Sequence, residues 1–469
     1  MELDNTGSEK LHNDIANEML DALNNNIIKN WYPLVVDEEM GGYFTNVDKD
    51  WNLLPNQEKM IVSQARHVWV LSKLSSFLGN HGFINMALHG YEFLKKAMWD
   101  KTYGGFYQMR SRDGGFSDAY GYREEKRTYG NAFAIYSLAA LASATKNEEV
   151  LDFAKTAFNW MEEHAFDPEL KGYFQFIAPD GNPFDRSSAY KTEAYDDVEL
   201  GYKDQNSSIH LLEAYTELYS VWKDDKVKEQ LNGLLTLIRD VITTPRGYMN
   251  LFFTPDWKPV SFKDAPKEVR ESNYRLDHVS FGHDYETAFL MLEASHVLGI
   301  NDDVKTLTTG KKMVDHAIAN GFDTVNGGFF DEGYYFAGED KLTIIKGTKN
   351  WWAQAEALNI LLMMSRIFPA EKKYIECFYK QWNYVKNNLI DFENGDWFEA
   401  GVDIEPQFKT GPKSHMWKCT YHTGRALMNC ITMLTDEAYS LYAENGLCRG
   451  IKKSSDEFIE HWKKTAELL

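Results

Sequence analysis

Basic residues are in deficit in this chain. Its 469 residues carry 50 Lys and Arg against 70 Asp and Glu, a formal net charge of −20. Nucleic acid and anionic membrane surfaces require clustered positive charge, so neither is expected as a partner. Apolar runs are short, and none approaches the length that spans a bilayer. The start, Met1-Glu2-Leu3-Asp4-Asn5, has neither the basic region nor the apolar core of a secretory signal. Cysteine is scarce. Cys377, Cys419, Cys430 and Cys448 form no CxxC pair and no metal-ligand spacing, so free thiols in a reducing cytoplasm are expected. HExxH, GxGxxG, P-loop and GxSxG patterns are all missing, which removes the sequence basis for zinc hydrolysis, nucleotide binding and serine catalysis. Asp277, His278, His283 and Asp284 match no standard metal spacing, and no metal site is expected.

What the chain has is a repeat. A glycine-aromatic signature occurs six times: Gly41-Gly42-Tyr43-Phe44, Gly104-Gly105-Phe106-Tyr107, Lys171-Gly172-Tyr173-Phe174, Arg246-Gly247-Tyr248-Met249, Gly327-Gly328-Phe329-Phe330 and Asn394-Gly395-Asp396-Trp397-Phe398. The glycines recur at intervals of 62 to 81 residues, room for two helices and their connections. Before each copy lies an amphipathic stretch: Asn13–Trp31, Phe83–Trp99, Glu148–His164, Lys226–Val241, Asp303–Ala319 and Lys372–Leu389. After each comes a stretch apolar nearly all round: Arg66–Phe77, Asn131–Ala144, His210–Val221, Tyr285–Leu298, Ala355–Phe368 and Arg425–Leu434. The first kind has one wet face and the second is buried on every side. Six such pairs without polar end caps predict a closed all-α (α/α)6 barrel over residues 1–435, rather than an open solenoid. Glycine is expected to end each outer helix from the left-handed position, with short β-hairpins after it. Long polar loops at Gln108–Lys126 and Asp180–Lys203 are expected at the mouth. Residues 436–469 are expected to form a helical extension packed on the barrel, with Ser454–Leu469 as a terminal helix.

The polar residues of the apolar stretches gather at their starts: Gln64 and Arg66; Tyr129; Asn206 and His210; His283 and Glu286; Trp352, Gln354 and Glu356; Trp417, Lys418 and His422. In such a barrel the six starts converge at one end, where helix N-termini favour developing negative charge. His283 and Glu286 are three apart and share a helix face, so the carboxylate is expected to orient the imidazole as a general base. Arg66 offers a fixed fork for an oxyanion. His67, His81, His89, His164, His296 and His316 are expected to be structural. Aromatic residues make 14% of the chain, which is compatible with a large core or with stacking platforms for sugar rings.

At these same positions the chain resembles the N-acylglucosamine 2-epimerase family. The likeness is carried by Gln64-Ala65-Arg66-His67-Val68-Trp69, Tyr129-Gly130-Asn131-Ala132-Phe133, Asn206-Ser207-Ser208-Ile209-His210, Gly282-His283-Asp284-Tyr285-Glu286, Trp351-Trp352-Ala353-Gln354-Ala355-Glu356 and Trp417-Lys418-Cys419-Thr420-Tyr421-His422-Thr423-Gly424-Arg425. Within the family the motifs resemble those of the cellobiose 2-epimerases, which act on β-1,4-linked disaccharides. The resemblance implies an (α/α)6 barrel that inverts C2 of a reducing-end sugar without an external cofactor, and a monomer or homodimer is expected. It implies His283 and His422 as the acid/base pair, Glu286 supporting His283, and Arg66 holding the enediolate. Tyr129, Asn206, His210, Trp352, Glu356 and Trp417 would line the sugar site. Ser208 stands where a further His is expected, Ala353 and Thr420 replace family prolines, and the two long loops exceed the family pattern. N-acylglucosamine 2-epimerisation, aldose–ketose isomerisation of a sugar such as mannose, hydrolysis of a glycosidic bond by Glu286 and Glu356, and non-catalytic sugar binding stay open as alternatives.

Overall fold

Helices whose every side is apolar have to be enclosed, and the chain does this with two concentric rings. The structure, a computed structural model, describes residues 5–194, 199–435 and 447–469. The outer helices are α1 (Asn5–Asp21), α3 (Gly82–Phe93), α5 (Glu148–His164), α7 (Asp225–Leu237), α9 (Val304–Gly321) and α11 (Lys373–Asn388). The inner helices are α2 (Ile61–Leu78), α4 (Thr128–Thr145), α6 (Gln205–Val221), α8 (Phe281–Leu298), α10 (Trp351–Ile367) and α12 (Tyr421–Leu434). Each inner helix packs on the next, and α12 packs back on α2. That last contact closes the ring, so the fold is an (α/α)6 barrel. Each outer helix packs chiefly on one inner helix, α1 on α12 and the others on the inner helix just before them, and α7 packs on α8 as well.

Local chemistry sets the outer helix starts. Asn147 caps α5 by accepting from Glu149 N–H, Asp224 caps α7 through Lys226 and Val227, and Asp303 caps α9 through Thr306. The inner helices start three to five residues before their uniformly apolar stretches, which puts the polar motif residues inside their first two turns, apart from Trp417 and Lys418, which precede α12.

The glycines do a different job from the one expected. The residues following the outer helices are Tyr32, Trp99, Ala165, Thr243, Phe322 and Leu389, in extended or right-handed conformation, once short π-turns are allowed for. The glycines lie several residues further on, at the tips of six equivalent turns, each closed by one bridge: Val36–Tyr43, Trp99–Phe106, Phe166–Tyr173, Thr243–Met249, Phe322–Phe329 and Ile390–Trp397. Gly41 and Gly42 have φ of 86° and 69° there, a region side chains avoid. Just before each of the first four inner helices the backbone pairs with the following repeat, as in Lys59–Met60 with Met109–Arg110 and Lys126–Arg127 with Phe176–Ile177.

A second repeated element stabilises these turns. An Asp opens the turn and a Lys preceding the inner helix pairs with it: Asp37–Lys59 at 2.8 Å, Asp100–Lys126 at 2.7 Å, Asp167–Lys203 at 2.7 Å, Asp323–Lys349 at 2.9 Å and Asp391–Lys413 at 2.6 Å. In the fourth repeat Thr244 and Val279 take the two places together, and no charge is left unpaired. Gln64 and Gln354, grouped with the site residues on sequence, belong to this scaffold. Their amides hold both backbone groups of Tyr43 and Phe329, as Asn131 does for Phe106. Lys418 also belongs here, paired with Asp396 and bonded to the Lys413 carbonyl.

At the far end α13 (Leu447–Ala466) packs on α2, α8, α9, α10 and α12. Residues 436–446, where the expected extension begins, lie outside the described residues, as do Met1–Asp4 and 195–198 of the second long loop. No helix among the described residues is long and apolar enough to cross a membrane.

Candidate active site

The sixth residue of each inner helix is buried near the mouth, and these residues differ from repeat to repeat: Arg66, Phe133, His210, Glu286, Glu356 and Ala426. Around them one continuous polar network is assembled. Arg425, fully buried on α12, is its centre. Its guanidinium donates to Glu286 Oε1 at 2.5 Å, to Glu356 Oε1 at 2.7 Å, to Tyr421 at 2.6 Å and to Glu213. Glu213 also accepts from Tyr421 and bonds His210 Nδ1 at 2.9 Å through its other oxygen. Burial pushes the Glu213 carboxyl up, but Arg425 and His210 outweigh it and hold it at about 2. Glu286 and Glu356 are raised to about 7, chiefly by burial, each in spite of Arg425.

The two candidate acid/base imidazoles are tethered differently. His422 Nδ1 is bonded to Glu356 Oε1 at 2.7 Å, with Glu286 Oε1 4.0 Å away. His283 Nδ1 is bonded to Ser280 Oγ at 2.8 Å. The expected Glu286–His283 bond is not among the bonds of the described residues. Three-residue spacing put both side chains on one face, but Glu286 turns toward the Arg425 charge across the barrel. Among the described residues neither His has a protein partner at Nε2. Burial lowers His283 to about 3, with help from the charges of His210 and His278. It lowers His422 well below the usual range, with help from Arg66 and Arg425. Both are therefore neutral near pH 7 and able to accept a proton. The Trp352 ring lies 4.8 Å from His283 and 5.6 Å from His422, centroid to centroid, so both imidazoles border one space.

Arg66 closes the other side. It donates to Tyr129 Oη at 3.0 Å and to the Trp417 carbonyl at 3.2 Å, and lies over the Phe133 and Tyr421 rings. Burial raises the Tyr129 hydroxyl to about 12, against the pull of Arg66. Tyr129 also meets His210 edge-on at 5.1 Å and Trp417 at 6.3 Å. Arg66 Nε and Asn206 Oδ1 are buried without protein partners; both residues open onto the same helix starts. Ser208, standing where a His was expected, is buried and donates to the Asp204 carbonyl.

Every residue singled out on sequence for the site thus lies at the inner helix starts. Four others were missed: Ser280, Glu213, Tyr421 and Arg425. Glu213 and Arg425 lie three residues after His210 and His422, so the spacing rule that selected Glu286 also points to them, whereas Ser280 precedes its helix and Tyr421 adjoins His422. Glu286, Glu356 and His422 bring ligand atoms within 4.8 Å of one another, as a cation site would. Arg425 already supplies the positive charge between the two carboxylates.

The sequence profile of N-acylglucosamine 2-epimerase (GlcNAc 2-epimerase) matches residues 42–425. The chain belongs to that family. A cellobiose 2-epimerase of Ruminococcus albus is 31% identical over 430 residues, covering 90% of this chain and 100% of the relative. One from Bacteroides fragilis is 29% identical over 424 residues, covering 90% and 98%. The solved cellobiose 2-epimerase of Bacillus thermoamylovorans superposes with a TM-score of 0.77 at 26% identity, covering 89% of this chain and 99% of that one. The chain is thus a carbohydrate epimerase by family.

Proposed function

We propose that the protein is a 2-epimerase of a β-1,4-linked disaccharide of the cellobiose or mannobiose type, inverting C2 of the reducing-end residue. The observation that carries this is the pair of neutral imidazoles bordering one space beside a buried guanidinium. The relatives named above support the substrate class.

The C2 proton of a pyranose is not acidic until the ring opens. In opening, one imidazole takes the C1 hydroxyl proton, and the ring oxygen receives a proton as the C1–O5 bond breaks. Tyr129 and His210 are the neighbouring acids for that step. The second imidazole then removes the proton from C2, and the electron pair moves into an enediolate held by Arg66 and the helix N-termini. The first imidazole, now charged, protonates C2 from the opposite face. Ring closure returns the ring-oxygen proton to its donor, and the second imidazole returns a proton to O1. Trp352 and Trp417 would hold the sugar rings by stacking.

Hydrolysis finds less support. Glu286 and Glu356 share one guanidinium rather than flanking a bond. Incubation with cellobiose and mannobiose, with chromatography of the products, tests the proposal. Glucosyl-mannose from cellobiose supports it. A ketose product points to isomerisation, free monosaccharide to hydrolysis, and either one alone refutes it.

A further inference from the structure

The barrel has a second opening, at the end away from the inner helix starts. There a cavity of 490 Å³ is lined by the later turns of all six inner helices and roofed by Ser455, Phe458 and Ile459 of α13. Every inner helix brings at least one polar residue to it, among them Ser72, Tyr136, Glu217, Glu293, Asn359 and Asn429. It lies outside the mechanism above, and α13 lies beyond residue 425, where the family match ends. We propose that this cavity is a second binding site, for a neutral polyhydroxylated ligand of monosaccharide size.

Charge selects against ions. The Lys73 ammonium is taken up by both oxygens of Glu217, at 2.6 and 2.8 Å. Arg425, which reaches the cavity from above, is held by three carboxylates. Six helix C-termini converge at this end, and their partial negative charge opposes an anion while welcoming hydroxyl donors. A bound cation would need a free carboxylate, but burial pushes the Glu293 carboxyl up to about 7, toward its neutral form. What remains is a wall that offers the Glu293 carboxyl and the Asn359 amide, whose nitrogen is buried without a protein partner, beside the stacked Trp69 and Tyr136 rings 5.1 Å apart. A hydroxyl both donates and accepts, and a sugar ring has an apolar face, so a sugar or similar polyol meets both demands. The volume lies in the range of small-molecule sites.

The test uses the full chain and D-glucose as probe, with binding stoichiometry read by calorimetry. Wild type is expected to take up two equivalents. Trp352→Ala, which removes the stacking surface of the catalytic pocket, is expected to keep the distal equivalent. Asn429→Trp, which fills the cavity, is expected to keep only the catalytic one. Should Asn429→Trp fail to fold, Ser143→Trp at the rim serves instead. One equivalent in wild type, or loss of all binding in Trp352→Ala, overturns the proposal. So does a second equivalent that survives the filled cavity.

Discussion

Two rings of side chains circle the mouth of this barrel, only a few residues apart along each helix, and they follow opposite rules. The ring of turns is conservative within the chain. Five of its six members carry the same buried Asp–Lys pair, and the sixth exchanges both charges for Thr244 and Val279 together. The ring at the sixth helical residue mixes basic, apolar and acidic side chains: Arg66, Phe133, His210, Glu286, Glu356 and Ala426. Sameness in the first sets six equivalent helix starts at one mouth. Difference in the second makes one asymmetric site from them. The buried charges at the mouth also differ in kind, because each turn Asp has at least one cation of its own whereas Arg425 alone faces three carboxylates.

The largest effect is expected where that imbalance is broken. Arg425→Met leaves Glu213, Glu286 and Glu356 buried without their cation. It is expected to cost about 3–5 kcal/mol in urea unfolding and to abolish turnover. In the turn ring, Lys349→Met strands Asp323 and is expected to cost about 3 kcal/mol with catalysis at the remaining folded fraction unchanged. The double variant Asp323→Thr with Lys349→Val copies the fourth repeat, and most of that loss is expected to return. If the double variant is as unstable as the single one, the fourth repeat is not a true equivalent of the others.

The carboxyls raised to about 7 give a smaller effect with a definite sign. A buried group that holds its proton more tightly when folded contributes stability below its unfolded value near 4.5, and loses it as pH rises through 7. Glu286→Gln removes that loss. The stability of Glu286→Gln relative to wild type is therefore expected to grow by about 2 kcal/mol between pH 4.5 and 8, measured by unfolding across that range. Smallest is Ser280→Ala, which frees His283 Nδ1. A drop of about tenfold in kcat is expected, with KM little changed, because the imidazole loses its orientation and not its chemistry.

The turn ring was largely legible in the sequence, because repetition is visible along a chain. Glycine-aromatic turns and the alternation of helix types led to the closed barrel. The Asp four residues before the first glycine, as in Asp37 and Asp100, belongs to the same repeat, and the glycines turn the hairpin tips instead of ending the outer helices. The second ring was only half legible. Arg66, His283, His422 and Glu356 stand out as polar residues on apolar helices. Which of them touch is decided across the barrel, where sequence distance carries no information: His422 and Glu356 are 66 residues apart. Glu286 was paired with its neighbour His283 because only the local spacing could be seen. Gln64 and Gln354 looked like site residues because a polar group bonded to the backbone of a turn leaves the same trace as one facing a ligand.

The account stands or falls on proton transfer at C2 by two imidazoles. Its most direct test is incubation with cellobiose in deuterium oxide, with NMR of the reducing-end residue, for wild type, His283→Ala and His422→Ala. Wild type is predicted to place deuterium at C2 of the epimeric product, and each variant to lose at least about a thousandfold in that rate while keeping its fold. Epimerisation at the wild-type rate in either variant, or epimer formed with C2 unlabelled, would contradict the two-imidazole mechanism.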